Sequence, residues 1–308
     1  MSDELIRETI TPTDRNHWLE LRSQDITSTE ISALFNISPY STHLEVWHKH
    51  KNNFKVEFEE TERVKWGSRL EDAIARGIGE DNSFPVSPFK TYMRIPSLRA
   101  GSSFDYLAGE SLETILEIKN VDSLQFKDKW IVEDGKVIEA PPHIELQVQY
   151  QLFVSGKKNA YIGALVGGNS VTLLKREIDP EIIESIKKKL EKFWVSIDQN
   201  NPPPPVFPQD AEFISKLYQK VDSGKDIEDY SYDLAVLIDK YKIASAKEKL
   251  ASEEKDTLKA KILMQIRDAE KVRGEDFTIT AGVTAACQMN YLRKEFRSFR
   301  VHYKKDKK

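Results

Sequence analysis

The stretch "NNPPPPVFP", residues 200–208, constrains this chain more than any other. Consecutive prolines fix φ and remove backbone donors, so the segment forms neither a helix nor a central strand. It reads as a stiff, extended linker. It therefore divides the chain into residues 1–200, a linker over 201–208 and residues 209–308.

Beyond the linker, residues 211–272 read as helix. Leu234, Leu237, Ile238 and Tyr241, then Leu250, Leu258, Ile262 and Ile266, recur at helical spacing with charges between them. The spacing fits a long hairpin or a coiled coil. Gly274 reads as the C-cap, and "FTITAGVTA" as a short strand or hairpin. The chain closes on "LRKEFRSFRVHYKKDKK", eight Lys or Arg interleaved with Phe296, Phe299 and Tyr303. Such a tail is either a solvated terminus or a surface that lies along phosphates.

Before the linker, helix and strand patterns alternate. Helices are expected near 14–22, 28–36 and 67–80 and over "LEVWHKHKN", with strands near 92–107 and 114–120. "AYIGALVGGNSVTLLKREI" is a hairpin turning at Gly167, Gly168 and Asn169. "PEIIESIKKKLEKFWVSIDQN" is an amphipathic closing helix. The fold class is α/β (α+β), a mixed, largely antiparallel sheet flanked by helices, with a C-terminal helical arm. Of the 308 residues, 39% are hydrophobic and 31% charged. No stretch reaches the ~20 apolar residues of a membrane span. One cysteine, Cys287, excludes an internal disulfide framework and a cysteine zinc site, and a cytoplasmic setting is the expectation. The formal net charge of −4 does not suggest a nucleic-acid binder by itself, but a total hides distribution.

The chemistry concentrates in "SSFDYLAGESLETILEIKN". Side chains alternate along a strand, so Ile115, Glu117 and Lys119 share one face of "TILEIK" and Thr114, Leu116 and Ile118 the other. A charge in a buried strand needs a partner. Two readings compete: a Glu117–Lys119 ion pair at a sheet edge, or a site for a hard divalent cation with the lysine beside it. Asp105 favours the second, because "LAGESLE" can turn the chain and bring Asp105 next to Glu117. Adjacent carboxylates repel unless a cation separates them or one is protonated. Glu71 follows Ser68 by three residues, which reads as a capping box. In "ELQVQYQLFV" the glutamines Gln147, Gln149 and Gln151 alternate with apolar residues, a strand period. Read as a helix, Gln147, Tyr150, Gln151 and Val154 share a face and Gly156 caps the end. Near the N-terminus, Thr27 and Glu30 form another capping box. Thr29 then lies in the first turn of a helix, where an anion is favoured, and Arg22 is either a surface residue or a fork for the same anion.

Taken together, "WLELRSQDITSTEISALFNISPYST", "WGSRLEDAIA", "SSFDYL", "LEIKN" and "ELQVQYQLFV", in this order, resemble the YqaJ-like viral recombinase nucleases. These are relatives of the phage lambda exonuclease in the restriction-endonuclease-like PD-(D/E)XK superfamily. The resemblance covers residues 14–200. It implies a nuclease domain over residues 1–200, and Mg²⁺-dependent cleavage with two ions, Mn²⁺ substituting. Carried over, Glu71, Asp105 and Glu117 match the metal-binding acids, and Lys119 the lysine that positions or deprotonates the attacking water. Gln147 matches the helical glutamine of the active site, which makes 144–155 a helix. Arg22 and Thr29 match the pair that grips the 5′-phosphate, with threonine keeping the hydroxyl. The "SPYST" loop follows the YqaJ branch.

The resemblance further implies an exonuclease of phage or prophage origin in the bacterial cytoplasm. It would digest one strand of linear duplex DNA from the 5′ end as a ring-like oligomer such as a trimer. It would hand 3′ overhangs to a single-strand annealing protein. A site-cutting endonuclease of the same superfamily and a non-catalytic DNA-binding scaffold are the alternatives, and the intact Asp105, Glu117 and Lys119 set argues against the scaffold.

Overall fold

The computed structural model describes residues 5–52, 61–222, 224–226, 228, 231–288, 297, 299 and 301. It divides into two compact units, residues 1–213 and 214–308.

The first unit opens with β1 (Glu8–Ile10) and α1 (Arg15–Ser23), which Asp14 caps by accepting the His17 N–H at 2.9 Å. β2 (Ile26–Thr27) follows. The helix expected at 28–36 shrinks to α2 (Ile31–Leu34), and residues 28–30 form a turn before it. Glu30 folds back onto that turn, its carboxylate accepting the Thr27 N–H at 3.1 Å and the Thr27 hydroxyl at 2.8 Å. α3 (His43–Asn52) comes next, then α4 (Glu62–Asn82). α4 starts at the Thr61 cap, seven residues before Ser68. Ser68 is therefore inside the helix, and the Ser68–Glu71 capping box does not exist.

The strands form two sheets. β3 (Val86–Pro88), β4 (Tyr92–Ile95), β5 (Ala100–Ser103), β6 (Tyr106–Ala108) and β7 (Thr114–Val121) replace the two long strands expected. After α5 (Ser123–Lys129) and the small β8 (Ile131–Glu133), β9 (Lys136–Glu139) ribbon come α6 (Pro142–Ser155), β10 (Asn159–Val166), β11 (Ser170–Glu177) and α7 (Pro180–Asp198). One sheet has the order β1-β4-β5-β2, the other β11-β10-β7-β6-β3. Among the described residues only β2–β5 and β10–β7 pair in parallel. The mixed, largely antiparallel α/β architecture is as expected. β7 lies in the middle of its sheet, so a Glu117–Lys119 pair at a sheet edge is excluded.

α6 is packed from all sides. Leu146, Tyr150, Phe153 and Val154 join a cluster with Ile26, Leu34, Trp47 and the apolar face of α7. Ile144, Val148 and Leu152 pack on Ile115, Ala160 and Ile162. Ten of its fourteen residues are buried. A helix buried all round has no amphipathic stripe, so the strand-like alternation of "LQVQYQLF" is misleading. α4 covers the opposite face of the five-stranded sheet, with Ile74, Ala75 and Ile78 against Leu116 and Ile118.

The first unit does not stop at the prolines. Buried Asp210 accepts the Val206 N–H at 2.6 Å and the Thr42 hydroxyl. Buried Phe213 lies 5.5 Å from the His48 ring, centroid to centroid. The expected boundary at 200 therefore moves to 213: an extended chain with its own buried anchor is part of the unit it leaves.

In the second unit the expected helix over 211–272 is interrupted. α8 (Ala211–Leu217) straddles the boundary, and α9 (Tyr232–Ile266) is one 35-residue helix without a buried residue. It does not fold into a helical hairpin. It ends before Gly274, which instead lies in the turn between β12 (Lys271–Arg273) and β13 (Thr278–Thr280). The basic run at 293–308 lies almost wholly outside the described residues. No described helix is long and apolar enough to cross a membrane.

Candidate active site

Asp105 sits at the hinge where the chain leaves the first sheet at Ser103 and enters the second at Tyr106. β6 and β7 pair with Tyr106 opposite Leu116, which places Asp105 across from Glu117. The Asp105 carboxylate accepts the Ile118 N–H at 2.8 Å. The turn expected in "LAGESLE" does bring the two acids together.

Glu117 is 3% exposed, and three side chains compensate its charge. The Lys119 ammonium donates to Oε1. Gln147 Nε2 donates to the same oxygen at 2.6 Å, and Gln151 Nε2 to Oε2 at 2.7 Å. Lys119 also donates to the Gln147 Oε1 at 3.2 Å, closing a ring of three residues. Gln147 and Gln151 are four residues apart on α6, hence on one face. Gln149 points elsewhere: it donates to the Glu177 carbonyl and accepts the Asp179 N–H, tying α6 to the start of α7.

Glu71 arrives on α4, across the sheet from α6. It forms no hydrogen bond to Asp105 or Glu117 among the described residues, but their charges interact. Burial, then the Glu117 charge, raises the Glu71 carboxyl above its ordinary value. Burial and Glu117 push Asp105 up well above the carboxylate range, with Lys119 opposing. For Lys119, burial favours the neutral amine, but Glu117 and Asp105 outweigh it and hold the ammonium. Lys119 opposes the upward shift of both Asp105 and Glu71, and Lys90 also opposes that of Glu71, yet both carboxyls stay raised.

A resident divalent ion fits this donor set. Among the described residues no three His, Cys, Asp or Glu side chains converge as a cage. Asp105 and Glu117 offer two adjoining hard oxygens. Mg²⁺ is typically held by one or two carboxylates plus water and substrate oxygens. The Gln151 Oε1 is buried beside them without a hydrogen-bond partner among the described residues, a further polar atom left to be satisfied.

Arg22 and Thr29 also meet. Arg22 Nη2 donates to the Thr29 hydroxyl at 3.1 Å and the Thr27 hydroxyl at 3.4 Å, and the guanidinium lies 4.6 Å from the Trp18 ring centroid. Thr29 stands in the turn before a four-residue helix, not in the first turn of a long one, so little helix dipole acts there. Behind it Glu30 is buried. Burial alone would raise its carboxyl, but His50 and Lys49 overcome that and hold it well below the usual range.

Two residues escape a sequence reading. Gln151 is as close to Glu117 as Gln147 is, and its spacing of four from Gln147 is the only local signal. Ser103 accepts the Trp18 indole N–H at 2.8 Å, across 85 residues, with no local signal at all.

The model of the YqaJ-like viral recombinase domain matches residues 17–158. The YqaJ protein of Bacillus subtilis (strain 168) is 27% identical over 220 residues, which cover 70% of this chain and 66% of that protein, just under two thirds of its length. Among solved structures, LHK-Exo, an alkaline exonuclease from Laribacter hongkongensis, in complex with dAMP is 13% identical with a TM-score of 0.48, over 66% of this chain and 97% of that one. A phage-related exonuclease from Haemophilus somnus 129PT is 12% identical with a TM-score of 0.41, over 57% and 94%. The segment that matches the YqaJ-like viral recombinase domain contains Arg22, Thr29, Glu71, Asp105, Glu117, Lys119 and Gln147.

Proposed function

We propose that the chain is a deoxyribonuclease that hydrolyses phosphodiester bonds in linear duplex DNA, with Mg²⁺ as its cofactor. The observation that carries this is the buried Glu117, joined by Lys119, Gln147 and Asp105 on adjoining strands and one helix. A scaffold gains nothing from three acids gathered around the buried end of Lys119. Such a site is stabilised by a second positive charge and by a phosphate that bridges to it.

Asp105 and Glu117 would hold the ion, with Glu71 completing the shell from α4; a second ion, and Mn²⁺ as a substitute, fit the same hard oxygens. The ion, when bound, would offset charge on the attacking and leaving oxygens of an in-line displacement. Lys119 supplies the fixed positive charge beside the reacting phosphate and positions the attacking water. Gln147 holds Lys119 and Glu117 in register. Arg22 and Thr29 would grip a terminal 5′-phosphate, with Arg22 pre-set by Trp18. Each cut from a 5′ end recreates that group, which favours processive 5′-to-3′ digestion that leaves 3′ overhangs. Single-strand annealing by a partner protein would use those overhangs in phage-type recombination in the bacterial cytoplasm. A closed homo-oligomeric ring such as a trimer would keep the duplex in place.

Digestion of linear duplex DNA with a 5′-phosphate, beside a covalently closed circle, with Mg²⁺ or EDTA, tests the reading. Loss of the linear DNA alone, dependent on Mg²⁺ and abolished by Lys119→Ala, is expected. Cutting of the circle would replace the exonuclease with an endonuclease. Absence of any Lys119-dependent cleavage from folded protein would end the nuclease reading.

A further inference from the structure

Gln151 is 1% exposed and lies between the buried Tyr150 and Leu152 in the sequence of α6. Its amide nitrogen makes two bonds, to Glu117 Oε2 at 2.7 Å and to the Ser103 carbonyl at 3.4 Å. Its oxygen is buried and bonds nothing among the described residues. Compensation of Glu117 accounts for the first bond; the second bond and the unpaired oxygen call for a further reason.

The two bonds reach different parts of the site. Glu117 belongs to the acid cluster. Ser103 closes β5, two residues before Asp105, and its hydroxyl accepts the Trp18 indole N–H at 2.8 Å. Trp18 is the ring under Arg22, and Arg22 holds Thr29. A continuous set of contacts therefore runs from Glu117 through Gln151, Ser103 and Trp18 to Arg22 and Thr29. Among the described residues Gln147 has no such second connection: its bonds go to Glu117 and Lys119.

We propose that Gln151 is a positioning residue that couples recognition of the DNA end to cleavage. It holds Glu117 at one side and the Ser103 backbone at the other. Occupation of the Arg22–Thr29 pocket by a 5′-phosphate draws on Trp18 and the end of β5, and Gln151 passes that constraint to the carboxylates. The phosphate then contributes to turnover as well as to affinity. The inference rests on the nuclease reading and on Arg22 and Thr29 as the end-binding pair.

The test compares linear duplexes with 5′-phosphate and 5′-hydroxyl ends, using full-length protein with Mg²⁺. Gln151→Met keeps the volume and removes the donor. Its kcat on phosphate ends is expected to fall roughly tenfold to a hundredfold, and on hydroxyl ends much less, so that the phosphate preference in kcat collapses while KM stays as in the parent. Arg22→Ala should instead raise KM for phosphate ends. Equal slowing on both ends by Gln151→Met would mark a packing role and overturn the proposal. Trp18→Phe supplies a second reading should Gln151→Met fail to fold: it breaks the bond to Ser103 yet leaves a ring under Arg22. It should also narrow the preference in kcat, and an unchanged preference would overturn the proposal. A parent protein indifferent to the 5′ group would refute the end-binding reading itself, and the coupling with it.

Discussion

Lys119→Ala isolates the electrostatics of the acid cluster. The substitution leaves Glu117 at its 3% exposure with both glutamine donors but without its cation. Asp105 and Glu71 still face it. Deleting one partner of a fully buried ion pair costs about 3–5 kcal/mol. The Lys119 side chain is 24% exposed, so water screens part of the attraction. Two amide bonds also continue to hold the carboxylate. About 2 kcal/mol is therefore expected, or roughly 4–8 °C in melting temperature for a unit of this size. Calorimetry in EDTA reads it directly. The loss should grow with pH. The Asp105 carboxyl is raised in the folded state, so its contribution to stability is complete below its unfolded value and disappears as pH climbs through the raised one. Without Lys119 to oppose it that rise is larger, and the gap between variant and parent widens above the ordinary carboxylate range. Adding Glu117→Gln to Lys119→Ala removes the stranded charge and should restore most of the stability, a coupling that a double-mutant cycle isolates. A Lys119→Ala protein that melts at or above the parent at every pH, or a double variant less stable than the single one, would refute the reasoning.

Mg²⁺ should raise the melting temperature of the parent protein in a concentration-dependent way, and Asp105→Asn should abolish the shift. Gly101→Ala should destabilise by about 4 kcal/mol in urea unfolding, from overpacking and a lost charge-assisted bond. Its Cβ would lie 2.0 Å from the Tyr92 hydroxyl oxygen and 2.8 Å from Asp25 Oδ2, breaking the buried Tyr92–Asp25 bond. A chain that ends after Phe213 should fold and cleave short duplexes. One that ends at 205 loses Asp210 and Phe213 and should be less stable by about 3 kcal/mol, which urea denaturation of the two would show.

What the sequence makes legible here depends on how far each signal reaches. Glu117 and Lys119 stand out because a strand of Ile115, Leu116 and Ile118 makes charge conspicuous, and the turn to Asp105 is local. The capping pattern of Ser68 and Glu71 is also local, and it misleads: the same spacing occurs inside a helix whose true cap, Thr61, lies about two helical turns upstream. α6 misleads for the opposite reason. Tertiary packing on every side erases its period, so "QVQYQ" cannot show from spacing that two glutamines face Glu117 and the third faces Glu177. The prolines announce an extended segment and not where it docks, since the Thr42–Asp210 bond spans 168 residues. The acids of the candidate site are thus visible through the cost of burying them. The amides and the indole that meet the cost are neutral, ordinary in composition and brought in from distant elements. Only three-dimensional placement separates Gln151, a bridge between two parts of the site, from Gln149, a strut.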